Sequence, residues 1–219
     1  MKKYNVNRSR ARSMISLVLS LLMIGAGVAL IASFFLAGRL DSTATNSDNP
    51  GGFNVPKLEN KPDNENTSST GPKDKTLELT VPAMSRIDND AIPYTTGTDE
   101  EALKTHAAIH LEGTGFPWDD EANVYIAGHR LGYPNTESWL TFWDLNKVSE
   151  GDKIYVTDSN GTKYTYKVFK TFIVAPSDTH VTATEPGKNI LTLQTCTLPD
   201  YEQRLIVQAD LTDTQTKSA

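Results

Sequence analysis

Beyond Leu77 the apolar residues recur at every second position, in short runs cut off by proline, glycine or asparagine. Leu77, Leu79 and Val81 alternate with polar neighbours and stop at Pro82. A period of two suits strands with one buried face, not helices. Arg86 to Ile92 reads as a weaker strand ending at Pro93, and Val124-Tyr125-Ile126-Ala127 as a strand that runs into Gly128-His129. Ile154-Tyr155-Val156 and Tyr164 to Val168 flank Ser159-Asn160-Gly161-Thr162. Asn-Gly between alternating runs predicts a type I′ hairpin turn, which needs φ > 0 twice. The second arm continues through Phe172-Ile173-Val174 to Pro176. A turn over Ser177-Asp178-Thr179-His180 then leads to the last strands, Leu191 to Cys196 and Arg204 to Leu211.

Two small helices fit between these runs. Thr98-Asp99-Glu100-Glu101 fits a capping box ahead of Ala102, Leu103 and Ala107. Leu131 to Asn146 holds Trp139, Leu140, Phe142, Trp143 and Leu145, read as an aromatic-rich turn of helix packed into the core. His110 to Pro117 reads as a loop crossing a surface. Eight or so short strands with two small helices indicate a mainly-β barrel or sandwich.

What precedes Leu77 is of other kinds. Positions 1–13 carry Lys2, Lys3, Arg8, Arg10 and Arg12 and no acid, which leaves 16 basic against 27 acidic residues for the remainder. That balance argues against nucleic acid as a partner. Met14 to Gly38 is 25 residues without a charge, about 37 Å as a helix, enough to cross a hydrocarbon core of about 30 Å. A cleaved signal peptide would have a shorter apolar core and a small-residue cleavage site. The run therefore reads as a retained transmembrane anchor, with the basic tail cytoplasmic and the rest extracellular. Asp41 to Lys75 is rich in Ser, Thr, Asn, Asp, Pro and Gly and reads as a flexible tether, spanning roughly 30–35 Å by coil scaling. The expected organisation is thus a tail at 1–13, an anchor at 14–38, a disordered linker at 39–76, a β-domain at 77–212 and a C-terminal tail at 213–219.

Cys196 is the only cysteine. An exported chain with one cysteine forms no internal disulfide, so the thiol is either a small buried hydrophobe or reactive. Alternation puts Leu191, Leu193 and Thr195 on one face of its strand and Thr192, Gln194 and Cys196 on the other. A thiol, the His129 imidazole and the Arg204 guanidinium, each near a strand end, are the parts of a cysteine acyl-transfer site. His106 and His110 are spaced i, i+4, but no HExxH run or third ligand accompanies them. No metal or other cofactor is expected.

Ala127-Gly128-His129, Thr192-Leu193-Gln194-Thr195-Cys196 as Thr-Leu-x-Thr-Cys, and Arg204-Leu205-Ile206-Val207, in that order, resemble the sortases. These are the membrane-anchored cysteine transpeptidases of Gram-positive bacteria. Asn123, His110 to Pro117 and Val174-Ala175-Pro176-Ser177-Asp178 support the likeness. The resemblance implies an eight-stranded β-barrel over 77–212 that cuts a Leu-Pro-x-Thr-Gly-like or Leu-Ala-x-Thr-Gly-like signal between Thr and Gly. It implies Cys196 as nucleophile, His129 as general acid/base and Arg204 as oxyanion or carbonyl binder, with Ala127 and Thr195 as substrate contacts. The implied partners are secreted proteins bearing a C-terminal sorting signal and an amine of a lipid II-type peptidoglycan precursor.

The Ala127-Gly128-His129-Arg130 run and the short Cys-to-Arg interval look most like class D or E. The sequence has no second hydrophobic segment near its C-terminus and no Asp-Pro-aromatic lid ahead of Leu77, which argues for peptidoglycan attachment over pilus building. Two other readings stand beside it: a cysteine peptidase or cell-wall hydrolase, and a non-catalytic surface module with an inert thiol. Papain-like enzymes place Cys before His, the reverse of this chain, and the caspase Gln-Ala-Cys-x-Gly run is absent.

Overall fold

The computed structural model describes Met23, residues 53–56 and residues 71–217. The fold lies within the compact unit spanning 46–219. The readings of 1–13, of the anchor at 14–38 apart from Met23, and of most of the linker fall outside the described residues. Among the described residues no helix is long and apolar enough to cross a membrane.

The described strands are β1 (Leu77–Thr80), β2 (Asp90–Ile92), β3 (Tyr94–Thr95), β4 (Ile109–Leu111), β5 (Ala122–Ala127), β6 (Lys153–Asp158), β7 (Lys163–Val174), β8 (Asn189–Cys196) and β9 (Arg204–Gln215). They form one nine-stranded, nearly closed sheet in the order β2-β1-β6-β7-β9-β8-β5-β4-β3. The expected count of eight is short by one. The pair Tyr94-Thr95 is too brief to show alternation, and its ladder becomes visible only when helix α1 (Glu100–Thr105) returns the chain to lay it parallel to β4.

Alternation also explains two separate cores. Val124 and Ile126 of β5, Leu191 and Leu193 of β8, and Val207 and Ala209 of β9 join Leu77, Leu79, Ile154, Val156 and Tyr166 inside the barrel. The opposite faces of the same central strands, through Tyr125, Ala127, Cys196 and Ile206, pack with Ile109, Leu111, Leu103, Val174 and Val181 in a second cluster. Both faces being covered, every residue of β5 and β8 is buried.

Several local expectations shift. Of Arg86 to Ile92 only the last three residues are strand, because Asn89 takes φ 60° and turns the chain. The helix is capped one residue later than the capping box implies. Asp99 is the N-cap, and its Oδ1 accepts from the Ala102 amide at 3.0 Å while its Oδ2 accepts from Thr95 Oγ1 at 2.8 Å. His110 lies in β4, not in a surface loop, so it and His106 share no helix face.

Leu131 to Asn146 folds as successive turns, with only a 3-10 turn at Leu145–Lys147. Its burial is as expected for Phe142 and Leu145, whereas Trp139 and Leu140 are half-buried and Trp143 is exposed. The β6–β7 turn is not type I′: Gly161 alone takes positive φ, at 84°. Asp158 Oδ1 accepts from the amides of Asn160 and Thr162 at 2.9 Å each, a side-chain turn that replaces the tight one. Finally, β9 runs past Leu211 to Gln215, because β7 supplies partners as far as Lys163.

Candidate active site

Pairing places the site. β5 and β8 are parallel, with Ala127 opposite Gln194, so their C-terminal ends share one edge of the sheet. β9 is antiparallel to β8 and begins at that edge, which sets Arg204 directly across from Cys196. His129 follows two residues after β5. The Gly128 amide donates to Gln194 O at 3.0 Å, and Thr195 Oγ1 donates to Gly128 O at 2.8 Å, tying the chain before His129 to the end of β8. Gly128 has little room for a side chain: a Cβ would lie 3.0 Å from Ala107 O and 3.0 Å from the Phe142 ring.

The structure thus brings His129, Cys196 and Arg204 to one edge, and all three are buried. Ala127 lies on the Cys196 face, in the second cluster. Thr195 lies on the Leu193 face, where its hydroxyl serves the Gly128 carbonyl. Arg130 brings a second guanidinium, with Nη1 3.5 Å from Cys196 O and Nη2 donating to Asn146 Oδ1 at 2.6 Å. Among the described residues no group of three or more His, Cys, Asp or Glu is placed to hold a metal.

A short stretch of the linker covers this edge. Phe53 and Val55 are buried in the second cluster, and the Phe53 ring lies 4.5 Å from the His129 ring, centroid to centroid. Tyr133 meets the same imidazole edge-on at 5.5 Å. Gly97 leaves space for Val55, since a Cβ there would come within 2.7 Å of the valine's own Cβ. The Asn54 carbonyl accepts from Arg204 Nε and from Gln194 Nε2, both at 3.3 Å. Arg204 Nη1 donates to the carbonyls of Tyr201 and Gln203 at 3.1 Å each, which fixes the guanidinium plane.

Burial sets the protonation states. It pushes the Cys196 thiol up, against the opposing pull of the Arg204 and Arg130 charges. It pushes His129 down to about 4. With this edge covered, the neutral thiol and the neutral imidazole are the favoured forms at neutral pH.

Residues 79–212 match the family model described as "Sortase domain". The chain belongs to the sortase family. It is similar to Sortase A of Streptococcus agalactiae serotype III, 30% identical over 138 residues, which make up 63% of this chain and 50% of that protein. It is also similar to Sortase A of Bacillus anthracis, 33% identical over 140 residues, 64% of this chain and 60% of that one. The chain therefore spans about half of the first relative's length and under two thirds of the second's.

Among solved structures it is similar to a lid mutant of Sortase A from Corynebacterium diphtheriae, with TM-score 0.54, 29% identity, and 63% of this chain and 70% of that chain covered. It is likewise similar to Sortase C of Streptococcus pneumoniae, with TM-score 0.55, 28% identity, and 67% and 73% covered. These relatives come from more than one sortase class, and the likeness reaches the family without selecting a class.

Sequence reasoning on this sortase missed four contributors. Gln194 was visible as sharing the Cys196 face, but its partner was not. Tyr125 reads as core, and only the fold reveals that its hydroxyl donates to Gln194 Oε1. Phe53 and Asn54 stand in a polar linker, where Phe53 and Val55 were the available signals.

Proposed function

We propose that this sortase is a membrane-anchored cysteine transpeptidase, acting outside the cell, that cleaves a Leu-Pro-x-Thr-Gly-like or Leu-Ala-x-Thr-Gly-like signal between Thr and Gly. The observation that carries this reading is the convergence of Cys196, His129 and Arg204 on one sheet edge, in a chain of the sortase family.

The chemistry follows from the three groups. The Cys196 thiolate attacks the Thr carbonyl carbon, and the tetrahedral oxyanion is stabilised by the Arg204 guanidinium. His129, as imidazolium, gives its proton to the departing Gly amine as the C–N bond breaks, leaving a thioester on Cys196. An incoming amine attacks that thioester and loses its proton to His129. The C–S bond breaks, the thiolate is restored and a new amide forms. A positioned amine in a water-poor groove favours transfer over hydrolysis.

The proposed donors are secreted proteins with a C-terminal sorting signal, and the proposed acceptor is an amine of a lipid II-type precursor. Class D or E is the proposed class, from the Ala127-Gly128-His129-Arg130 run. The test mixes the full chain in detergent with Leu-Pro-x-Thr-Gly and Leu-Ala-x-Thr-Gly peptides and triglycine, with products read by mass spectrometry. A Thr–triglycine adduct that vanishes in Cys196→Ala supports the reading, and the preferred peptide points to the class. Cleavage without an adduct favours a hydrolase. Adduct formation only with a lysine-bearing acceptor favours a pilin-polymerising enzyme.

A further inference from the structure

The Asn54 carbonyl marks a place on the Cys196 face of the sheet where a peptide backbone is held. Two donors from adjacent strands meet on one oxygen: Arg204 Nε from the start of β9 and Gln194 Nε2 from β8, each at 3.3 Å. The Asn54 carbonyl can only accept, so Gln194 turns Nε2 toward it and Oε1 toward Tyr125, whose hydroxyl donates there. Tyr125 is fully buried on β5, and burial pushes its phenol further up, so the hydroxyl keeps its proton. Gln194 and Cys196 lie two residues apart on one face of the strand, so the carbonyl site and the thiol share one groove floor. A side chain that both donates and is itself held by a buried phenol is preorganised for one acceptor geometry.

We infer that Gln194 is a substrate-binding residue. Together with Arg204 it clamps a backbone carbonyl of the bound sorting peptide, in the place now taken by Asn54 O, and Tyr125 is the positioning residue that aims its amide. This rests on the transpeptidase reading for the identity of the peptide, but not for the existence of the clamp. These two donors already hold a peptide carbonyl, that of Asn54, so the partner is an extended peptide entered through its backbone.

The experiment uses the full chain with residues 53–56 replaced by Gly-Ser-Gly-Ser, which removes the Phe53 and Val55 side chains that anchor the protein's own carbonyl over the two donors. Gln194→Met keeps the length and apolar stem but has no N–H. It should raise KM for the cleaved peptide roughly 3- to 10-fold with kcat within about 3-fold, the scale of one neutral hydrogen bond. Tyr125→Phe should raise KM by less, since the amide survives but is no longer aimed. An unchanged KM in Gln194→Met, or a fall in kcat alone, overturns the inference.

If the parent chain cleaves neither peptide, the proposed signal is wrong and the clamp is read elsewhere. In the otherwise native chain, Gln194→Met should speed alkylation of Cys196 by a small thiol reagent, because the Asn54 carbonyl has lost a donor. Unchanged labelling there would overturn the clamp by itself.

Discussion

Replacing Phe53 by alanine should uncover the imidazole, and the structure gives the size of the effect. Phe53 is 3% exposed and packs in the second cluster and against the His129 ring. Burying a side chain of this kind is worth about 1.5–3 kcal/mol, so its loss should shift the balance between covered and open groove roughly 10- to 100-fold. The Asn54 carbonyl would keep its two donors but lose its anchor on the N-terminal side.

Two assays read the same equilibrium: kcat/KM for peptide cleavage and the second-order rate of Cys196 alkylation. Both should rise in Phe53→Ala, by a common factor, until the open groove becomes the major form. The acid limb of the pH–rate profile should move as well. Water readmitted to His129 relieves the burial that holds it near 4, so the limb should shift upward toward the ordinary histidine value of about 6.5. A variant with unchanged kcat/KM, unchanged labelling and an unaltered thermal midpoint would refute the reasoning, because the ring would then cover nothing that matters.

Cys196→Ala should abolish thioacyl-enzyme by intact-mass analysis while leaving the circular dichroism spectrum unchanged. His129→Ala and Arg204→Ala should each lower turnover by at least about 10²-fold, the scale of a lost proton-transfer or oxyanion group. Gly128→Ala should cost about 1–3 kcal/mol of stability, as overpacking against Phe142 does, and a thermal midpoint within error of the parent would contradict the contact. His110 is buried against Tyr94 and Phe116, its Nε2 3.0 Å from Gly115 O, and burial pushes it down to about 3. Because it is neutral when folded and ordinary when unfolded, the unfolded state takes up its proton first as pH falls. Stability should therefore drop between about pH 6.5 and 3, by up to about 1.4 kcal/mol per pH unit. A urea-midpoint series flat over that window would sink the assignment.

Period-two alternation carried most of the architecture. Leu77 and Leu79, Ile154 and Val156, and Leu191 and Leu193 all landed inside the barrel because one face had to be buried. It failed where tertiary partners decide. Tyr94-Thr95 becomes strand only beside β4, and Leu131 to Asn146 carries helix-like aromatics but is pinned as turns by Thr141 Oγ1 on Ala107 O and by Leu140 at φ 60°. Asn160-Gly161 signalled a hairpin correctly and its turn type wrongly, since the Asp158 carboxylate offered the loop amides a better partner. His129, Cys196 and Arg204 were legible because each closes or opens a strand. Their grouping was expected from the sortase likeness, but the geometry that joins them was not legible, because it depends on which strands become neighbours, and that is set by parallel pairing across the sheet. The contacts of Asn54 with Gln194 and Arg204 lay 140 and 150 residues apart, beyond any local pattern.

Thr195 and Gly128 meet across 67 residues, and the guanidinium opposite Cys196 arrives only with the last strand of the sheet. Pairings this distant in sequence form slowly and late. Before the sheet is complete the cysteine is thus an ordinary thiol in an open chain, and the His129 imidazole and Arg204 guanidinium reach it only as the sheet closes. Turnover, unlike bare thiol reactivity, would therefore report completed folding: an incomplete sheet has the exposed thiol without the imidazole and guanidinium proposed to serve it.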